Sequence, residues 1–202
     1  MPELSPAVLP RPAASLIVLR DQPSGPETLM GVRCASHRFM PNHLVFPGGA
    51  VDPGDSTAPA ASELRPEVMR PLLVAADPVL ARGLAIAAAR ELEEETGLTL
   101  GTPPQLDGFD YLCRAVTPRG FPVRFDARFL VVDAGRVSGS IAGSGELERL
   151  RWYGLEEALA LAPAFVTQNI IRCLQDWLAL SPQARRTRER TPLLAERTWR
   201  TE

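Results

Sequence analysis

The sequence predicts a mixed α/β fold in one domain of ordinary size. Apolar, β-branched runs occur in both halves of the 202-residue chain, a long stretch rich in Ala, Leu, Arg and Glu lies between them, and a second helical pattern follows late. Short apolar runs bounded by turn residues read as strands. Sustained helix formers with start and stop signals read as helices. A chain of this length can bury a full core.

The elements follow in order. Residues 1–12 contain Pro2, Pro6, Pro10 and Pro12 and read as a loose N-terminal arm. Residues 13–19 are apolar but short, flanked by Pro12 and Arg20, which suits a strand, at 14–19, and not a signal peptide. Residues 29–34 and 44–46 give two more strands, and Pro47, Gly48 and Gly49 break the latter sharply. Asp52-Pro53-Gly54-Asp55 is a turn ending in a carboxylate. Residues 64–74 fit a short helix between prolines. Asp77 is a good N-cap and Pro78 suits the first helical position, where its missing N–H costs nothing. Residues 79–96 are then strong helix formers, with Gly83 the weak point and Gly97 the stop. Strands are expected at 111–117, 123–132 and 150–153, helices at 155–161 and 166–180, and a Gly- and Ser-rich surface loop at 134–145. The domain is expected to span 13–182, with 183–202 an Arg-rich C-terminal extension. Its run Arg185-Arg186-Thr187-Arg188-Glu189-Arg190 reads first as a solvated tail. Packing on a second subunit and steering of an anionic substrate are the alternatives.

Composition excludes several classes. The formal net charge is −2, so no polyanion groove covers the protein and a nucleic acid polymer is not expected as a partner. All 22 basic residues are arginine, which removes Schiff-base chemistry and the phosphate-loop lysine of nucleotide kinases. Cys34, Cys113 and Cys173 are widely spaced and odd in number, reading as buried free thiols in a reducing cytoplasm. His37 and His43 are too few for a conventional zinc site. No apolar run approaches the roughly 18 residues of a membrane helix, so no membrane partner is expected.

The most informative segment is Arg90-Glu91-Leu92-Glu93-Glu94-Glu95-Thr96-Gly97-Leu98. Glu91, Glu94 and Glu95 are spaced i, i+3 and i+4, so a helix projects all three from one face. Like charges at that spacing repel by about 0.2–0.5 kcal/mol per pair. Two readings follow: a solvated acidic helix end, or an all-oxygen ligand set suited to Mg²⁺ or Mn²⁺. Upstream, Leu44-Val45-Phe46-Pro47-Gly48-Gly49 places two glycines where main-chain groups can approach a metal or phosphate closely.

Together these segments resemble the Nudix hydrolases, whose signature is G-x5-E-x7-R-E-U-x-E-E-x-G-U, with U a bulky apolar residue. Gly49 takes the first glycine, Asp55 stands where the first glutamate is usual, and Arg90 to Leu98 match the second half position for position. Between Asp55 and Arg90 lie 34 residues where the family has seven. Such an interrupted signature resembles the branch containing certain coenzyme A diphosphatases, with the insertion here at about 56–77.

The resemblance implies an α/β/α sandwich with a mixed β-sheet. It also implies a Mg²⁺ or Mn²⁺ site formed by Glu91, Glu94, Glu95 and the Gly49 carbonyl, with Arg90 orienting the carboxylates. The reaction implied is hydrolysis of a diphosphate linkage in a small molecule. Coenzyme A or acyl-coenzyme A heads the substrates; ADP-ribose, dinucleotides, nucleotide sugars and oxidised nucleotides follow. A catalytically silent nucleotide-binding domain is the alternative, against which the intact second half speaks. Glu94 and Glu95 are candidates for catalysis as well as metal binding. Family members often supply a further glutamate, as ligand or general base, from a loop before a late strand. Glu146, six residues before Trp152, is the choice here, with Glu148 the alternative. Homodimers are common in the family, and the insertion is expected to shape the mouth of the cleft.

Two more places carry candidate substrate contacts. In residues 123–129, alternation puts Arg124, Asp126 and Arg128 on one face and Val123, Phe125, Ala127 and Phe129 on the other. The polar face is either solvated or lines the cleft, where its arginines would grip phosphate oxygens. A similar R-F-D-x-R-F stretch in the interrupted branch favours the cleft. Arg33 and Ser36, followed by Pro41-Asn42, partly resemble a coenzyme A motif with arginine beside serine and a later Pro-Gly pair. An ordinary strand end and loop is the other reading.

Overall fold

The computed structural model describes residues 8–35 and 40–202. The chain runs β1 (Arg11–Gln22), β2 (Gly25–Arg33), β3 (Leu44–Val45), β4 (Gly48–Ala50), α1 (Pro66–Leu72), α2 (Pro78–Thr96), β5 (Leu98–Thr99), β6 (Asp110–Val116) and β7 (Phe125–Asp133). After a 3₁₀ turn (Ala134–Arg136) come β8 (Ser138–Gly139), β9 (Leu147–Gly154), α3 (Leu155–Ala160), α4 (Phe165–Ala179), α5 (Pro182–Arg186), β10 (Pro192–Ala195) and β11 (Thr198–Thr201).

The main sheet is ordered β11-β10-β6-β7-β1-β2-β3, with β4 also on β1 and β9 also on β2. It is mixed: β1 runs parallel to β7 and β10 parallel to β6, and the other pairs are antiparallel. Alternation along β1 sends Leu16 and Val18 to one face and Ile17 to the other, and each face has its own core. Helices α1 and α2 cover the first through Val68, Leu84 and Leu92; α4 covers the second through Ile170, Leu174 and Trp177. This is the α/β/α sandwich with a mixed sheet that the sequence implied.

Helix α2 forms where its local signals place it. The Leu80 N–H donates to Asp77 Oδ1 at 2.8 Å, and Gly97 closes the helix at φ 72°, a left-handed conformation that glycine adopts without a Cβ penalty. Gly83, weak by propensity, packs closely on Ser56: a Cβ there would lie 2.9 Å from Ser56 Oγ, which would have to turn aside.

Several expectations need correction. The N-terminal arm does not extend to residue 12, because β1 begins at Arg11, paired with Phe125; residues 1–7 lie outside the described residues. The insertion does not frame a cleft mouth. Leu64, Val68 and Leu72 are buried in the first core, Ser62 Oγ donates to Asp107 at 2.7 Å, and Arg65 donates to Asp110 at 2.6 Å and to the Phe109 carbonyl at 2.8 Å. The C-terminal run is not a solvated tail. Arg185 donates to the carbonyls of Trp177, Leu178 and Leu180 at the end of α4, and Arg188 to those of Tyr111 and Leu112. Frayed helix carbonyls are natural acceptors for arginine, which explains the first set. Beyond them β10 and β11 extend the main sheet as a hairpin. The loop at 134–145 contains the 3₁₀ turn and β8, which pairs with β5. Of the three free cysteines only Cys113 is fully buried. Among the described residues no helix is long and apolar enough to cross a membrane.

Candidate active site

The site forms where the C-terminal half of α2 meets β4. Strand β4 pairs with β1, Ser15 opposite Gly48 and Ala14 opposite Gly49, which presses the two glycines against neighbouring groups. A Cβ on Gly48 would lie 2.4 Å from the Ala14 carbonyl oxygen, and one on Gly49 would lie 2.2 Å from Glu91 Oε1. Only glycine lets the main chain and the Glu91 carboxylate lie side by side there.

Arg90 is the hub. Its Nε donates to Asp55 Oδ1 at 3.0 Å and its Nη2 to Asp55 Oδ2 at 3.1 Å, a forked pair, and Nη2 also reaches the Ala50 carbonyl at 3.0 Å. Nη1 donates to Glu91 Oε1 at 2.9 Å and to Glu94 Oε2 at 3.0 Å. These carboxylates raise its pKa further above an already high value. Asp55, whose role the sequence left open, is buried and also accepts from the Asp52 N–H at 2.7 Å. It serves as the anchor for Arg90.

The three glutamates differ in setting. Glu94 is exposed. Glu91 is mostly buried, and desolvation holds its carboxyl above the usual range despite Arg90. Glu95 is 2% exposed and accepts from the Gly48 N–H at 2.8 Å. Burial pushes its carboxyl up to about 7, with Gly48 and Arg33 pulling down and Glu91 and Glu146 pushing up. The charge of Glu146 acts on both Glu91 and Glu95, so the structure brings it to the cluster. Glu148 lies exposed on β9, opposite Val32. Among the described residues no three such side chains converge as a ready metal cage; Glu91 and Glu94 both face Arg90.

Arg33 sits beside this cluster, its Nη2 donating to the Gly48 carbonyl at 3.2 Å. Ser36, its proposed companion, lies outside the described residues. Asn42, where the related motif has glycine, adopts φ 60°, the left-handed conformation that asparagine tolerates better than most residues.

The face of β7 expected at the cleft is the wrong one. Arg124 donates to the carbonyls of Thr117 at 3.0 Å and Val8 at 2.6 Å. Arg128, 1% exposed, donates to the Ala75 carbonyl at 2.7 Å and pairs with Asp126 at 2.8 Å. Asp126 also takes a forked pair from Arg114 at 2.6 and 2.9 Å. These three residues are consumed inside the fold, tying β7 to β6 and to the end of the insertion. The opposite face, Phe125, Ala127 and Phe129, lines a cavity of about 370 Å³ that runs from Gly48 and Gly49 to α4 and the β10–β11 hairpin. No residue of 56–77 lines it.

Residues 82–173 match the family model of the NUDIX domain. No curated protein sequence matches the chain. Among solved structures it is similar to a NUDIX hydrolase from Alicyclobacillus acidocaldarius, at 23% identity over 82% of this chain and 93% of that one, with a TM-score of 0.61. A MutT NUDIX hydrolase from Burkholderia pseudomallei shares 19% identity over 83% of this chain and 99% of that one, TM-score 0.54. The NUDIX domain of Shewanella oneidensis NrtR, solved with ADP ribose, shares 14% over 88% and 95%, TM-score 0.52. At these identities the structures speak for the fold. The family model covers most of α2 together with Arg90 to Leu98, so the segment that carries the acidic cluster is the one similar to a NUDIX domain.

Proposed function

We propose that this protein hydrolyses a diphosphate linkage in a small nucleoside diphosphate-linked molecule with the help of Mg²⁺ or Mn²⁺. The observation that carries the reading is the Arg90 hub, which holds Asp55, Glu91 and Glu94 around the Gly48–Gly49 step, with Glu95 bonded to the Gly48 N–H and the charge of Glu146 acting on Glu95.

The residues fit such an ion. The donors are all oxygen, Gly49 leaves its main chain open beside Glu91, and burial holds the Glu91 and Glu95 carboxyls above their usual range, a cost that a bound cation would offset. Glu91, Glu94, Glu95 and the Gly49 carbonyl would hold it. When bound, the ion neutralises phosphoryl oxygens and acidifies water. The protein's own groups do the rest. Arg90, fixed by Asp55, keeps the carboxylates in register. Arg33 offers a cation beside Gly48 for a phosphate oxygen. Glu146, on the loop before β9, is the candidate to take the proton from the attacking water.

Coenzyme A, acyl-coenzyme A, ADP-ribose, dinucleotides, nucleotide sugars and oxidised nucleotides all contain the linkage. The interrupted signature favours coenzyme A. The burial of Arg124 and Arg128 removes one support for that choice, since neither is left to grip a phosphate. A Mg²⁺-dependent panel of these compounds, read by mass spectrometry, tests the reading. Two phosphate-bearing products are expected, lost in Glu94→Gln and Glu95→Gln. Absence of turnover across the panel overturns it.

A further inference from the structure

The cavity beside the proposed reaction centre has a cation at each end and aromatic walls between. At the near end Arg33 bonds the Gly48 carbonyl. At the far end, on the turn between β10 and β11, the Arg197 guanidinium lies 4.5 Å from the centroid of the Phe165 ring. From β4 to β10 the sheet crosses β1, β7 and β6, four spacings, so the two ends are about 19 Å apart in strand terms. Phe125, Phe129 and Phe46 form the inner wall, with Phe46 edge-on to Phe129 at 6.2 Å and 77°. At the mouth Phe121 and Phe165 remain 47% and 40% exposed.

Exposed rings gathered at a cavity mouth are informative in a way that scattered ones are not. Arg197 is equally telling. It is exposed, and among the described residues no carboxylate or hydrogen-bond acceptor engages its guanidinium. Glu196 beside it is directed elsewhere, accepting from the Arg119 N–H at 3.2 Å. The hairpin itself lies beyond the segment 82–173 that matches the domain model.

We propose that this hairpin supplies a nucleobase subsite, in which the base of the substrate stacks on Phe165 and Arg197 swings over its other face. The assignment rests on the diphosphatase reading for what occupies the near end. A planar heteroaromatic ring gains from both partners, since a guanidinium plane stacks on a π-face and a phenyl ring does likewise. An alkyl chain would gain only the apolar contact. The volume, about 370 Å³, falls within the roughly 300–1,000 Å³ of small-molecule sites. Specificity on the base side is then set by the C-terminal hairpin and α4, and not by the insertion within the signature.

Calorimetry on the full chain in EDTA tests this without turnover. The probes are the four common ribonucleoside 5′-monophosphates, each compared with ribose 5-phosphate, which lacks the base. At least one nucleotide is expected to bind tenfold or more tighter than ribose 5-phosphate. That ratio is expected to collapse towards one in Arg197→Ala and in Phe165→Leu, with circular dichroism unchanged. A ratio near one in the wild type, or a ratio unmoved by Arg197→Ala, overturns the subsite. An Arg197-dependent ratio in a protein that hydrolyses no diphosphate leaves the subsite standing and removes the hydrolase reading. Hydrolysis with an unmoved ratio does the reverse.

Discussion

Glu95 shows most directly how burial turns one residue into a chemical instrument. Its neighbours Glu91 and Glu94 share the same helix face in sequence, yet only Glu95 is sealed against Gly48, and its carboxyl rises from 4.5 to about 7. The raised value has a defined consequence for the metal-free protein. Below pH 4.5 the group is protonated in both folded and unfolded chains, and it contributes nothing. Between 4.5 and 7 only the folded chain holds the proton, so stability falls as pH rises through that window and is flat above it. The full difference is about 3 kcal/mol. Glu95→Gln keeps an acceptor for the Gly48 N–H and removes the charge. Thermal unfolding in EDTA should therefore show the variant more stable than wild type at pH 8 and equal to it at pH 4. Equal melting temperatures at pH 8 would mean that the carboxylate is not desolvated in solution. Added Mg²⁺ should narrow the gap at pH 8, because a bound cation favours the ionised form. The sequence announced the glutamates through their i, i+3, i+4 spacing. It could not rank them, because the ranking depends on which one packs beneath β4.

At the scale of elements, the insertion is the clearest case of structure changing a sequence expectation. A long interruption before the signature helix looks like a loop free to reshape a cleft, but its apolar positions Leu64, Val68 and Leu72 are spent on the core under α2 and β6. Leu72→Ala should destabilise the protein by about 2–5 kcal/mol, the range for a buried leucine. It should leave KM for any substrate unchanged, a split that steady-state kinetics and denaturant unfolding measure together. A shifted KM would return the insertion to the substrate site. Helix α2 was fully legible, because its cap at Asp77, its proline and its Gly97 stop are local signals acting over one or two turns. Strand β7 was half legible. Alternation separates Arg124, Asp126 and Arg128 from Phe125, Ala127 and Phe129, but nothing local says which face meets the cavity when helices cover both sides of the sheet. The arginines lie on the face covered by α1 and α2, where they bond backbone carbonyls, and the phenylalanines on the other.

For the whole molecule, the β10–β11 hairpin is part of the main sheet and packs into its core. Leu194 is buried opposite Ala115 of β6, and Glu202 Oε2 accepts from Arg114 at 2.7 Å. Deleting residues 191–202 removes about 2–3 kcal/mol of apolar burial from Leu194 alone. A melting temperature lower by about 5–10 °C is expected. An unchanged melting temperature would mean that the hairpin does not pack in solution. The sequence by itself determined the fold class, the signature helix with its capping, the candidate acidic cluster and the glycines that admit it, because each rests on periodicity or on neighbours a few residues apart. Tertiary structure alone decided the burial of Glu95, the pairing of Asp55 with Arg90 across the insertion, the face of β7 that meets the cavity, and the placing of Arg197 at the edge of that cavity. Those outcomes join residues separated by 35 to more than 100 positions. Contacts at that range are set by which surfaces the packed sheet and helices leave facing each other, and no local pattern encodes them.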